Sequence, residues 1–591
     1  MLAFMSTFAP TRSCYGNAPS DGKLVAITMS VMTLVGAVTL AGCVGIATSR
    51  TIPAASLPAT SVAAAPAAYV DTSMPTQTGS ILNVPAGGDF QGAVNGATCG
   101  DTIQLAAGAT YTGNFTLPFK SCTGWVVVRT SAPDSSLPAP GVRINPTYAG
   151  VLPKIVSPNV SPAIVTQLGA THYRFIGVEV TTTISTINTV QYGLIDLGDD
   201  PATGNGVTSV SQLASFIFFD RCYIHGTPTG NVKRGITFNG ASLAAIDSYI
   251  SDIHGVGQDT QAIIGWNGPG PFKIADNYLE AAGENVMFGG ATPSISGVIP
   301  SDIEIRGNHF FKPLTWRVGD PSYAGIHWSV KNLLEFKIAQ RVLVTGNVFE
   351  NNWLDAQVGF AILLTPRTES GAAPWIEVQD ITFTLNIVRH TGSGLNILGT
   401  DDGDPQHLVR AKRALVKDNL FDDVNGATWG GDGRLFQLLS GADSITIDHN
   451  TGLESVTVLS ADGTPSTNFI YQNNINPHGT YGVIGSNYGV GLPSLAYYFP
   501  GYVFRNNVLE NILASGATAA NYPAGNFFPA TWSPVMFVNQ LGGDYRLCRG
   551  VGDPLASCSG TSPYINAGND GKDVGADIVG LNAATAGTVQ H

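Results

Sequence analysis

Charge is scarce in this 591-residue chain: Asp, Glu, Lys and Arg together make up 12% of it. Cations are scarcer than anions, 29 against 42, and the net charge of −13 speaks against a general nucleic-acid binder. The same shortage disfavours a polyanionic ligand unless a bound cation or a local basic strip compensates. Cysteine is sparse at seven residues, so covalent staples cannot carry the fold. Long apolar runs are missing apart from residues 24–40 (LVAITMSVMTLVGAVTL), and 17 residues are short for a membrane span. What the chain does have is 70 glycines, 44% hydrophobic residues and a mean hydropathy of +0.14. That content excludes disorder over most of the length and suits many tight turns around a continuous apolar interior.

The strongest positive signal is a repeat. Asn277, Asn308, Asn347, Asn386, Asn419, Asn450, Asn474 and Asn507 stand 24 to 39 residues apart. Five and three positions before each stands a core-compatible pair, such as Ile303/Ile305, Val342/Val344, Ile381/Phe383 and Ile445/Ile447. Two positions after most of them an apolar residue returns, as at Phe310, Phe349, Val388 and Phe421. Alternation on both sides of one polar corner means two short strands meeting at a bend, repeated as in a solenoid. Cys222 and Ser248 fill the same slot in two earlier turns. An Asn offers both a donor and an acceptor to the backbone groups that a bend leaves unpaired, and stacked Asn residues can also bond to each other.

This pattern resembles the right-handed parallel β-helix proteins of the pectate-lyase-like type, over about residues 80 to 580. The resemblance implies an all-β, single-stranded right-handed solenoid with an N-terminal cap and an irregular C-terminal cap. It does not imply one function, because lyases, hydrolases, esterases and adhesins share such helices. The domain reading is a leader over 1–43, a flexible Ala/Pro/Thr-rich tether over 44–78, the β-helix over 79–520 and a capping segment over 521–591. Lys23, the apolar run and Leu40-Ala41-Gly42-Cys43 look like a bacterial lipobox, with Cys43 as the lipidated residue. An exported monomer is therefore expected, lipid-anchored at the outer membrane or cell surface, or periplasmic. Two disulfides, Cys99 with Cys122 and Cys548 with Cys558, suit that compartment. Cys222 reads as a buried thiol.

A third strand should complete each coil, at RGITFNG (234–240), QAIIGWNG (261–268), ENVMFGG (284–290), IHWSVKN (326–332), GFAILLTPR (359–367), GLNILGTD (394–401) and RLFQLLSG (434–441). Taking bulky parity as inward puts Ile264/Trp266 and Trp328/Val330 in the core and faces their neighbours outward. By resemblance this third sheet bears the substrate groove. Its outward set then supplies Lys331, Arg367 and His327 as catalytic candidates, and Gln261, Asn267, Asn285 and Asn396 as substrate ligands. Asp259, Glu284 and Asp401 are the candidates to hold Ca²⁺ through oxygen ligands. Asp401-Asp402-Gly403-Asp404 looks like a calcium loop but lacks EF-hand spacing. For a uronate lyase, a cation must neutralise the C5 carboxylate and a Lys or Arg must remove the neighbouring proton.

A second outward row carries Glu280 and Glu350 two coils apart, roughly 10 Å, which would suit an inverting glycosidase. Trp316, Trp353, Trp375 and Trp429 beside turns are candidates to stack on sugars. The Asp-Asp, Gly-His-Gly and Arg-Ile-Lys pattern of polygalacturonases is absent. The expected function is a carbohydrate-active protein with a polysaccharide partner, a uronate lyase ahead of a glycoside hydrolase. The competing expectation is a non-catalytic glycan-binding or adhesive β-helix.

Overall fold

The computed structural model describes residues 62–121, 124–198, 206–401, 410–454, 456–551 and 558–589. Cys43, the apolar run, Cys122, Asp402 and Asp404 lie outside the described residues. Among the described residues no helix is long and apolar enough to cross a membrane. Short strands wind into three parallel sheets as a right-handed β-helix. The first sheet has 14 strands, from Ile81–Val84 to Val503–Arg505. The second has 13, from Thr110–Thr112 to Val508–Glu510, and the third has 12, from Phe115–Leu117 to Gly482–Gly485. The apolar pairs before each Asn stack coil on coil, Val342 on Ile381 and Ile381 on Ala414, and face the central core.

The asparagines stand in single file at the corner between the first and second sheets. Asn347 N–H and Nδ2 both donate to Asn386 Oδ1 at 3.0 Å, and Asn386 repeats this toward Asn419 at 2.9 and 3.1 Å. Each Nδ2 also reaches a carbonyl one coil back, as Asn347 does to Ile305 O at 3.0 Å. The file enters through Cys222 and Ser248 and continues past Asn507 to Asn526, a step of 19 residues that the spacing hides. The residue before each Asn turns the corner with a left-handed φ. Gly307 and Gly346 take it at no steric cost, whereas Leu385 holds it at 55°.

The ends are closed differently from each other. The helix Phe90–Gly96, capped by Asp89, lays Phe90 and Val94 over Tyr111 and Phe115. At the other end Leu495, Tyr498 and Phe499 of the Leu492–Tyr498 helix segment, with Ile512 and Tyr522, join the central core. The first residues of the expected capping segment, with Tyr522 and Phe528, thus do pack at this end, and beyond them the tail runs along the outside of the second sheet. Its Val535, Leu547, Tyr564 and Val574 cover Ile475 and Val508, while Tyr545, Ile578 and Leu581 cover Leu420. Cys548 and Cys558 form a disulfide within it. The described part of the expected tether is also laid down: Ala64 N–H donates to Asp380 and Ala67 N–H to Asp302 on the first sheet. Arg174 then takes the Thr72 and Ser73 carbonyls, so residues 64–73 form a strap rather than a free linker. Main-chain donors met by buried carboxylates decide this, and Ala/Pro composition does not reveal them.

Candidate functional site

The third sheet departs from simple alternation, and that changes which side chains face out. Gln261, Ile263 and Ile264 lie in register with Glu284, Val286 and Met287. Ala262 and Ile263, neighbours in sequence, both belong to the central core. Ile264 and Trp266 therefore pack outside the barrel against Met287, a correction to the inward assignment. Residues 326–332 are not a strand either; the coil is completed by Leu334–Phe336, which pairs with Glu284–Phe288 and Phe360–Leu364. The segment 326–331 is an extended ledge laid over the sheet's entrance. It is held by Ser329 N–H on Gly255 O, Val330 N–H on Asp355 Oδ2 and Lys331 N–H on Ala282 O.

Alternation along the ledge sends Trp328 and Val330 down and leaves His327 and Lys331 up. Trp328 packs with Trp316, Trp353 and Trp429 into one buried block, and His254 stacks on it at 3.8 Å between ring centroids. These indoles hold the ledge against the barrel and are not free to stack on a sugar, contrary to expectation. Trp375 likewise donates Nε1 to Val298 O beneath a loop.

Lys331 Nζ stands 2.5 Å from Asp259 and 3.6 Å from Glu284. Glu284 is fully buried, and its other oxygen accepts from Gln261 Nε2 at 2.7 Å. Burial raises the Glu284 pKa above the ordinary carboxylate value; Lys331 opposes this and Asp259 adds to it. Burial works against the Lys331 ammonium, but Glu284 and Asp259 more than offset it and hold its pKa above that of a free lysine. Lys331 is thus a fixed cation and a poor proton acceptor. His327, four residues earlier, has Nε2 2.5 Å from Asp355 Oδ1, which leaves Nδ1 as the other ring nitrogen. A carboxylate orienting an imidazole is a common arrangement for general-base work.

Beneath the ledge Lys312 is completely buried. Its Nζ donates toward Ala281 O, Ala282 O, Gly283 O and Asn285 Oδ1 at 2.7 to 3.0 Å, tying down the turn that carries Glu284. Burial pushes its pKa down to about 7, with Glu284 and Glu280 pulling the other way. Lys312→Met would leave those oxygens without a donor, at about 1–3 kcal/mol for each group left unsatisfied. Thermal unfolding is expected to register this loss, and an unchanged midpoint would show that the turn stands without the ammonium.

Three expected ligands are corrected by their surroundings. Asn267 is fully buried and holds a loop through Ser294 and Ile295, and Asn285 is spent on Leu279 O, Phe311 O and Lys312. Gln261 is 1% exposed and positions Glu284. Asn396 alone of the four lies on the outer face of the third sheet, next to Gln437. Arg367 forms a separate cluster: it meets Asp401 at 2.6 Å, whose second oxygen takes Thr368 N–H at 3.0 Å. Asp401 therefore does not join Asp259 and Glu284, and the shared counter-ion of those two is an ammonium. Among the described residues no group of three His, Cys, Asp or Glu side chains is placed to hold a metal. Glu280 and Glu350 are both spent in bonded networks. Glu280 takes Tyr278 Oη and Asp252 N–H, while His309 and Arg389 hold Glu350 down to about 2 against its burial.

Sequence reasoning missed Asp355 and Lys312. Asp355 sits in an irregular turn with no periodic signal, whereas a lysine inside the apolar stretch His309–Leu314 was a legible oddity.

No family model matches the chain, and no curated protein matches it. Solved structures similar to it include a mannuronic-acid-specific polysaccharide family 6 lyase from human gut microbiota. That likeness has 10% identity, covers 79% of this chain and 94% of that chain, and has a TM-score of 0.41. The pectate lyase Pel9A gives 14% identity over 84% of this chain and 96% of that chain, with a TM-score of 0.30. A XylC complex with xylose gives 9% identity over 76% and 86%, with a TM-score of 0.38. Likeness at this level is one of winding alone.

Proposed function

We propose that the protein acts on a polysaccharide laid across the third sheet, and that the reaction is β-elimination at a uronate residue. The observation that carries this reading is the ledge itself. It presents a lysine kept protonated by two carboxylates and, four residues away, a histidine oriented by Asp355. In the proposed step the Lys331 ammonium neutralises the C5 carboxylate and His327 takes the C5 proton. The C–H electron pair becomes the C4–C5 double bond, and the glycosidic oxygen leaves with its bonding pair and gains a proton from water. The roles differ from those expected of the sequence, where Lys331 or Arg367 was the base. Arg367, half exposed beside Asp401, is proposed to hold the carboxylate of a neighbouring sugar.

Asp259 is 45% exposed and is the partner a substrate carboxylate would displace from Lys331. Asp259→Asn is therefore expected to lower KM for a uronate polymer several-fold. A rise in KM would mean that Asp259 binds substrate or a cation instead. The primary test is incubation with pectins, alginate and glycosaminoglycans, with and without EDTA, following absorbance of the unsaturated product. Activity unaffected by EDTA is expected, because Lys331 supplies the neutralising charge; loss in EDTA would return that role to calcium. His327→Gln should reduce turnover by about 10²–10⁴-fold.

A second reading rests on one observation. Asp259 and Glu284 each face Lys331 Nζ, so their facing oxygens stand at most about 6 Å apart, a range that includes the separation of a retaining glycosidase pair. Release of reducing ends without the new absorbance would favour it.

A further inference from the structure

Four coils beyond the Glu284 strand, the same outer face holds a cavity of about 540 Å³. Gln437 and Ser460, in register on neighbouring coils, line it, and Asn396, buried and outside the lining, continues the row one coil back. Gln437 Nε2 donates to Asn396 Oδ1 at 2.9 Å, and Ser460 Oγ donates to Gln437 Oε1 at 3.2 Å. Gln437 is thereby locked in one orientation. Tyr481 stands at the rim with its side chain 45% exposed, on the turn that leads into the Gly482–Gly485 strand. Among the described residues the one cation lining this cavity, Arg434, is paired with Asp432 at 3.0 Å and also bonds Gln437, while Asp462 adds a further negative charge.

From this we infer that the cavity is a binding subsite for an uncharged sugar residue. An aromatic edge and a fixed row of amide and hydroxyl groups match a pyranose ring and its hydroxyls. Among the described residues lining it, two carboxylates, Asp432 and Asp462, stand against the single guanidinium of Arg434, and this net negative charge disfavours a uronate there. The middle of the third sheet and its C-terminal end therefore differ in charge preference. Placed roughly 20 Å from the ledge, the subsite would engage a different residue of the same chain. Resting on the reading of Lys331 as the uronate's counter-ion, this makes the substrate a mixed polymer of acidic and neutral sugars rather than a pure polyuronate.

The test is calorimetric titration of the full chain with neutral tetra- to hexasaccharides of the gluco, galacto and manno series, and with oligouronates of the same length. At least one neutral series is expected to bind the wild type and Lys331→Met equally, and to bind Tyr481→Ala and Gln437→Ala at least tenfold more weakly. Because the readout is binding, it stands even if no lyase activity exists. Failure of every neutral series to bind would overturn the subsite. So would neutral binding that survives both substitutions in proteins whose thermal unfolding matches the wild type. Preferential binding of oligouronates lost in Tyr481→Ala would overturn the assignment to an uncharged sugar.

Discussion

Lys331→Met is expected to remove activity on a uronate polymer by about 10²–10⁴-fold and to destabilise the protein in a pH-dependent way. In the wild type, Lys331 is the largest influence opposing the upward shift of the buried Glu284 carboxyl. Without the ammonium, Glu284 keeps only Gln261 as partner, and its pKa in the fold rises further. A carboxyl whose folded pKa exceeds its unfolded value favours folding below the unfolded pKa, and that contribution is lost as the pH climbs through the folded value. The unfolding midpoints of wild type and variant should thus nearly coincide at about pH 4. They should separate as the pH rises, toward the cost of breaking a buried pair, about 3–5 kcal/mol. Glu284→Gln in the same background is expected to close the gap at neutral pH, because an amide needs no counter-charge. A loss of stability equal at all pH values would sink this account and mark Lys331 as a packing residue.

The second large effect belongs to the Asn file. Asn386→Ala deletes the single acceptor used by both Asn347 N–H and Asn347 Nδ2, and the donor that reaches Val344 O and Thr384 O. Each buried group left unsatisfied costs about 1–3 kcal/mol, so the substitution should cost several times a surface change. Asn386→Asp keeps the acceptor and loses the donor, and its loss should fall between the two. In a solenoid, stability is shared mainly between neighbouring coils. Hydrogen exchange should therefore quicken first around Asn347 and Asn419 and only later toward the ends. Uniform quickening along the whole rod would instead mean that the coils unfold as one unit.

The register of the coils was readable because two signals agree at every turn: an inward apolar pair and a polar corner residue. Physics ties both to the backbone. The pair must face the core, and the bend must have its amide groups paired. Cys222 and Ser248 could be placed in the file by position alone, and the structure puts them there. Asn526 could not, because the last step is short and the following strand is replaced by irregular chain.

The site was readable only in part. Lys331, Glu284 and Asp259 meet as a group because strand starts and ledge converge, although the lysine was expected in catalysis and the two carboxylates on a calcium ion. Asp401 was assigned to the same centre and instead serves Arg367. Asn267 and Asn285 have the composition of ligands and the burial of scaffold. What the chain determined by itself is local and periodic: which residues on either side of the Asn corner face inward, where each coil turns, and that coils stack. Only the tertiary structure decided where the insertions between strands come to rest. Placement of the ledge, the strap and the tail depends on single contacts such as Val330 N–H with Asp355, Ala67 N–H with Asp302, and Ile578 with Leu420. Such contacts join residues 25 to 235 apart without recurring, and a pattern that does not repeat leaves no period to read.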